Sequence, residues 1–348
     1  MNSEVWLIGG YGDVGRTTAA ALLKAGGFDV VLAGRDAQKA RDGAQALGAP
    51  VRGETCDAAQ GLPEAALSSA AAVINFVEAQ PPVIAKQVVA AGGVYIDTSA
   101  DPDHLAAVAA TLPAGPGLAV INAGLAPGLT NILARATKQQ HPEVRRIDSI
   151  LEMGMGRHHG HAATAGTLRA LGQPYRSKRE GAWQTIVPGR EKRKVRFGSG
   201  SAVPAIGFKF SDQIAMAERL DLDTARSFLA LDPKSMTVLT GLLAGGATGK
   251  WIARRSDGLT RFLAKLPPSG GTATRLAVEG YDAAGKLVAR RVIETVDQAD
   301  VTAAMLALTV QAGLQSDTSG LVHLDELVTL EDAKAALGQQ LRTIDWFD

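Results

Sequence analysis

The chain of 348 residues carries 36 Lys and Arg against 35 Asp and Glu, a net charge of +1, and is 46% hydrophobic. That balance supplies no overall field toward nucleic acid or a membrane, and the length suffices for two domains with separate cores. A single cysteine, Cys56, excludes an intramolecular disulfide and any multi-cysteine zinc site. The longest apolar run, 236–247, is too short for a bilayer span, and the first strand pattern starts at Glu4, so a cytoplasmic protein without a leader peptide is expected.

Residues 5–16, Val-Trp-Leu-Ile-Gly-Gly-Tyr-Gly-Asp-Val-Gly-Arg, read as a buried strand that breaks into a glycine turn and opens a helix. Gly10, Gly12 and Gly15 have the Gly-x-Gly-x-x-Gly spacing. The first glycine permits a tight turn, the second lets a pyrophosphate approach the backbone, and the third allows close helix–strand packing. The free N–H groups of a helix starting near Asp13 then face the phosphates, with Tyr11, Asp13 and Val14 beside them. Residues 17–24 continue the helix and Gly26-Gly27 stops it. The pattern predicts a dinucleotide site; the alternative is a glycine-rich loop with no ligand.

The second strand, 29–35, ends about twenty residues beyond Gly15, where an NAD site places an acid against the ribose 2′-hydroxyl. Here Gly34 and Arg35 occupy that place. A guanidinium supplies bidentate donors to a 2′-phosphate, so NADP is expected over NAD. In the competing arrangement Arg35 stacks on adenine and Asp36 takes the ribose.

Strand and helix patterns then alternate to residue 125, as a parallel sheet requires. Helix 37–47, strand 51–56, strand 71–77, helix 82–91, strand 94–99, helix 105–110 and strand 118–123 complete six β units of a doubly wound Rossmann sheet. Beyond it the period changes. Helices are expected at 130–140, 163–171, 236–243, 251–263 and 301–314, and strands at 147–155, 208–212, 225–231, 274–281 and 287–295. A loop-rich basic stretch holds Arg190, Lys192, Arg193, Lys194 and Arg196 around a short strand. The expected organisation is an α/β dinucleotide-binding domain over 1–125, an α+β domain over 126–300, and C-terminal helices over 301–348 returning to the first domain.

The glycine turn 9–15, the segment Ala33-Gly34-Arg35-Asp36, the fifth strand 93–98 and the turn Gly-Leu-Ala-Pro-Gly-Leu-Thr-Asn at 124–131 together resemble the saccharopine dehydrogenase-like reductases. The last motif occurs also in the related lysine dehydrogenases. The resemblance is good over 4–135 and thin beyond, where Phe210-Ser211-Asp212 is familiar. It implies a nicotinamide site near Asn75, Phe76, Asp97, Thr98 and the 124–131 turn, and adenine contact near Asp57. Within that turn Gly128, Thr130 and Asn131 are candidate substrate contacts. Pro127-Gly128 forces a bend, and Thr130 or Asn131 can cap a helix whose N-terminus favours a carboxylate; a plain strand-to-helix connection is the alternative.

For the catalytic proton the candidates are Asp97, His159 and His161. Asp97 lies in an apolar strand, where burial favours the neutral carboxyl and a relay role, or else marks a structural acid accepting backbone N–H bonds. Arg157-His158-His159-Gly160-His161 lacks nearby carboxylates or thiols, so substrate contact or a solvated loop is expected there and no metal. Arg176, Lys178 and Arg179, and the 190–196 stretch, read as surface without the interleaved aromatics of a nucleic-acid site. Cys56 reads as a small buried residue. The resemblance implies hydride transfer at a C–N bond of a small-molecule substrate, in a homodimer by analogy. Reduction of a C=C or C=O bond on a more apolar substrate, with 236–243 lining its pocket, and non-catalytic NADP binding are the alternatives.

Overall fold

The computed structural model describes residues 2–78, 80–157, 160–295 and 297–347, with the side chains of all but 344–347. In chain order it has β1 (Ser3–Ile8), α1 (Asp13–Ala25), β2 (Phe28–Gly34), α2 (Ala37–Leu47), β3 (Val51–Thr55), α3 (Glu64–Ser69), β4 (Ala70–Asn75), α4 (Val83–Ala90), β5 (Val94–Asp97), α5 (Pro102–Thr111) and β6 (Leu118–Ile121). There follow α6 (Thr130–Gln140), β7 (Arg146–Gly154), α7 (His161–Ala170), β8 (Tyr175–Arg179), β9 (Ala182–Ile186), β10 (Lys192–Val195), β11 (Val203–Gly207), α8 (Asp212–Arg219) and β12 (Thr224–Asp232). The remainder is α9 (Lys234–Leu243), α10 (Gly246–Arg254), α11 (Ser256–Leu263), β13 (Thr274–Tyr281), β14 (Leu287–Thr295), α12 (Gln298–Gln315), β15 (Gly320–His323), α13 (Leu324–Leu327), α14 (Leu330–Leu337) and β16 (Leu341–Phe347).

The chain divides into two units, one of residues 1–129 and 299–337, the other of 130–298 and 338–348. In the first unit a seven-stranded parallel sheet runs β15-β6-β5-β4-β1-β2-β3. The order reverses between β1 and β4, the switch point at whose carboxyl edge such sheets bind ligands. Both sheet faces are covered, which is why β1, β2 and β4 read as near-continuous apolar runs. Trp6, Ile8, Val31, Val73 and Tyr95 pack with Ile84 and Val88 of α4 and Leu105 and Val108 of α5. On the other side Gly313 of α12 lies against Val94 and Leu118.

In the second unit a mixed sheet runs β10-β11-β12-β7-β13-β14-β16, beside a separate β8–β9 hairpin. Strand β7 is central and buried on both faces, and its even and odd residues meet different surroundings. Ser149 faces α8: its hydroxyl and that of Ser227 donate to the fully buried Asp212 carboxylate at 3.0 and 2.5 Å. Asp148 points the other way into three guanidiniums, with Arg226 at 2.5 Å, Arg193 at 2.5 Å and Arg146 at 2.9 Å. Strand register builds this cluster, because Arg226, Asp148, Glu279 and Arg290 are successive cross-strand neighbours on β12, β7, β13 and β14.

Several expectations differ from the structure. Residues 208–212 are not a strand: the Phe210 N–H closes a tight turn on the Phe208 carbonyl, and Asp212 opens α8. The helix expected at 251–263 is two helices, broken at Arg255, whose ψ of 14° leaves the helical range. The basic stretch between 175 and 195 holds three strands whose charged residues hide the alternation, two of them joined at Glu180 and Gly181, both with positive φ. At the C-terminus, β15 adds to the first sheet beside β6, but β16 pairs antiparallel with β14 in the second. Residues 301–348 thus do not return to the first unit as one body; pairing with a distant strand decides where 341–347 lies.

Burial alone would raise the Asp148 carboxyl, but bonds from Arg226 and Arg146 outweigh it and hold it below the usual carboxylate range. A depressed carboxyl stabilises the fold above the unfolded value near pH 4, and that contribution is lost as pH falls through the folded-state value. Asp148→Ala should cost about 3–5 kcal/mol in urea unfolding, since it leaves three half-buried guanidiniums without their shared carboxylate. Asp148→Asn should flatten the acid limb of the stability–pH curve; an unchanged limb would show that other carboxylates carry it.

Candidate functional site

The candidate cofactor site lies on the first unit, at the carboxyl edge of β1, β2 and β4. As β1 ends, the chain turns on Gly9, whose φ of 80° only glycine adopts easily. The tight-turn role therefore falls on Gly9 and not on Gly10, while Gly10 lies close over Leu7 and Leu32. A Cβ on Gly15 would stand 2.5 Å from the Gly10 carbonyl, so the third glycine lets α1 touch the turn. Beside Gly12 there is more room, and Gly12 caps α1 without a side chain, leaving its first-turn amides, Asp13, Val14 and Gly15, with no side-chain cap. An open helix N-terminus over a glycine turn fits a pyrophosphate.

At the end of β2 the Tyr11 ring lies against Gly34, where a Cβ would stand 2.3 Å from Tyr11 Cε1. Arg35 is exposed and has no hydrogen-bond or ion-pair partner among the described residues. Asp36 is engaged: its carboxylate accepts the Lys39 N–H at 3.1 Å and caps α2. That bond, assisted by the Lys39 ammonium, holds the Asp36 carboxyl below its usual range. Of the two residues, Arg35 is the one disposed toward a ligand. Asp57, after β3, is exposed and accepts the Ala59 N–H at 3.1 Å. Its neighbour Cys56 is buried, and burial together with the Asp57 charge pushes the thiol up to about 11, so the thiol form dominates at neutral pH.

At the ends of β4 and β5, Asn75 donates to the Val77 carbonyl at 2.8 Å, to Tyr95 Oη at 3.0 Å and to Asp97 Oδ2 at 3.1 Å. Asp97 Oδ2 also accepts from Tyr95 at 2.5 Å and lies 3.1 Å from His104 Nε2, while Oδ1 accepts the Ser99 N–H at 2.9 Å. Phe76 is half-buried beside them, and Thr98 Oγ1 donates to the Asn75 carbonyl at 2.9 Å. The Asp97 geometry is that of an anchoring acid which clamps β4, β5 and α5 together beneath the binding edge. Tyr95 and His104 are absent from the residues singled out in sequence. Strand period placed Tyr95 on the Asp97 side, but only the packing of α5 brings His104 there.

The 124–131 turn passes from the first unit into the second. Leu125–Leu129 is a buried, kinked segment with non-helical dihedrals at Ala126, Pro127 and Gly128, the last at φ 130°. Thr130 and Asn131 begin α6 fully buried, and Asn131 Nδ2 donates to the Asp212 carbonyl at 3.3 Å. In the second unit His161 starts α7 exposed, 3.9 Å from Asp257; His159 lies outside the described residues. Among the described residues no group of three or more His, Cys, Asp or Glu is placed to hold a metal ion, and no helix is long and apolar enough to cross a membrane.

A parallel sheet in this order with an uncapped glycine turn at its switch point defines a Rossmann dinucleotide-binding unit. Residues 5–148 match the family model of the Saccharopine dehydrogenase NADP binding domain, and this part of the chain is a saccharopine dehydrogenase-like NADP-binding domain. Among solved structures, the apo saccharopine dehydrogenase (L-Glu forming) of Saccharomyces cerevisiae aligns over 99% of this chain and 100% of its own, at 12% identity and a TM-score of 0.61. Diaminopimelate (DAP) dehydrogenase of C. glutamicum, solved with DAP, aligns over 94% of each chain at 14% identity and a TM-score of 0.49. The first of these likenesses shows the two-unit fold. No curated protein matches the chain.

Burial opposes protonation of His104, and the Asp97 carboxylate outweighs it, raising the imidazole above its ordinary value. The stabilisation is then complete below about pH 6.5, the unfolded value, and is lost as pH rises through the folded-state value. Unfolding midpoints at pH 6 and pH 8 should therefore differ more for the parent chain than for His104→Gln. An equal difference in both would remove His104 as the group responsible.

Proposed function

We propose that the chain is an NADP-dependent oxidoreductase that transfers hydride at a C–N bond, forming or oxidising an imine or secondary amine of a small amino-acid-like substrate. The observation that carries the cofactor choice is the pairing at 35–36: Arg35 is exposed with no hydrogen-bond or ion-pair partner among the described residues, and Asp36 is engaged as the α2 cap. The NADP-binding domain match over 5–148 supports the nicotinamide cofactor, and the saccharopine dehydrogenase character of that domain supports the C–N reaction class.

When bound, the nicotinamide supplies the hydride chemistry. The α1 first-turn amides and Gly12 hold the pyrophosphate, with Tyr11 packed on Gly34 shaping the adenosine end and Arg35 pairing the 2′-phosphate. Asn75, Phe76 and Thr98 orient the nicotinamide end. Asp97 is a positioning residue here, since its oxygens already accept from Tyr95, Asn75 and Ser99 and face His104. The exposed His161, or His159, carries the proton, and Gly128, Thr130 and Asn131 shape the substrate side. Holding the reactants in line lowers the barrier such a reaction must cross.

A charge-assisted contact to a 2′-phosphate is worth about 1.5–3 kcal/mol. Arg35→Ala should therefore weaken NADPH about 10–100-fold in a fluorescence titration and leave NADH nearly unchanged; equal losses would refute the 2′-phosphate contact. The reaction class is tested by following NADPH consumption with pairs of 2-oxo acid and amine beside α,β-unsaturated ketones. Turnover with the pairs is expected. Turnover with the enones alone would assign the protein to C=C reduction, and none with either would leave cofactor binding as its activity.

A further inference from the structure

The chain is near neutral, yet six basic residues and one acidic residue lie between Lys234 and Leu266. These are Lys234, Lys250, Arg254, Arg255, Arg261 and Lys265 against Asp257. The same segment, α9 to α11 and the residues just after, holds most of the large apolar side chains left in solvent among the described residues. Val238, Leu239, Leu242, Trp251, Phe262 and Leu266 are between 44 and 70% exposed.

The helices are not simply ill-packed. Each buries one side and exposes another at helical spacing: Thr237 is buried on α9 while Val238, Leu239 and Leu242 face out. On α10, Gly249 and Ile252 are buried, with Gly249 seated against Leu171 and Gly172, while Lys250, Trp251 and Arg254 are exposed. On α11, Ser256 and Thr260 are buried while Arg261 and Phe262 are exposed, followed by Lys265 and Leu266. The Arg255 guanidinium lies over the Trp251 ring at 5.4 Å, so cation and indole share one site.

We propose that the exposed basic and apolar side chains of α9–α11 dock the protein on an anionic lipid bilayer. Exposed Trp, Phe and Leu set among Lys and Arg on helices are the signature of in-plane interfacial binding, apolar side chains entering the acyl boundary while cations meet headgroups. A second copy fits poorly, because a two-fold contact through this patch would set two strongly positive faces together. A nucleic acid would satisfy the cations but leave Leu242 and Phe262 without an apolar partner. A bilayer accommodates both at once. Residues 236–243, which in sequence were candidates for an apolar substrate pocket, thus present Val238, Leu239 and Leu242 outward.

The test is co-sedimentation of the full chain with phosphatidylcholine vesicles containing or lacking 30% phosphatidylglycerol. Binding is expected to the anionic vesicles and to fall at least tenfold at 0.5 M salt. Trp251→Ala with Phe262→Ser, and separately Lys250→Glu with Arg254→Glu, should each reduce it at least tenfold while the thermal midpoint and NADPH affinity stay at parental values. Because NADPH affinity is read separately, failure here is distinct from failure of the proposed function. No binding to either vesicle, or binding indifferent to both double variants, overturns the proposal. So does a self-associated form in light scattering that the apolar double variant dissolves, which would assign the face to a second copy.

Discussion

The contact of Gly15 with the Gly10 carbonyl is the constraint on which the candidate cofactor site rests. A side chain on Gly15 would push α1 away from the end of β1, and one on Gly10 would run into Leu7 and Leu32 of the sheet. With both glycines in place, the helix N-terminus is fixed at the point where strand order reverses between β1 and β4, and its first-turn amides face outward without a side-chain cap. The same economy of space recurs at Gly34, where the missing Cβ admits the Tyr11 ring. Backbone packing therefore shapes the proposed phosphate end, and in the proposed function side chains enter only at its margins, through Arg35 on one side and Asn75 and Thr98 on the other.

Buried carboxylates are handled in three ways. Asp148 is neutralised by several guanidiniums gathered from three strands. Asp212 has hydroxyl and backbone N–H donors, and there burial wins, pushing the carboxyl up against bonds from Ser227 and Ser149. Asp97 is surrounded by a phenol, an amide, an imidazole and a backbone N–H. The surroundings set each acid's role: Asp148 cements a sheet face, Asp212 ties α8 to β7 and β12, and Asp97 ties α5 to the binding edge. Only the last stands beside the predicted nicotinamide end.

Net charge is an average, and the average concealed a local excess. A balance of +1 removes any long-range field, but it does not prevent six cations from collecting on and beside three short helices together with exposed aromatic and aliphatic groups. Within a Debye length, about 10 Å at 0.1 M salt, that local arrangement is what a partner meets.

The sequence by itself determined six of the seven strands of the first sheet, the glycine turn and the cationic residue at the end of β2, because parallel strands buried on both faces and a glycine-spaced turn are local signals. Strands β13 and β14 and helix α6 were equally legible, each matching its expected limits, since hydrophobic period survives in them. Tertiary structure decided what depends on a distant partner. Residues 341–347 are placed by β14, His104 reaches Asp97 only through the packing of α5, and the guanidiniums around Asp148 meet by strand register. Whether an apolar side chain of α9–α11 faces core or water was likewise invisible in sequence, because it is packing that buries Thr237 and leaves Leu242 exposed.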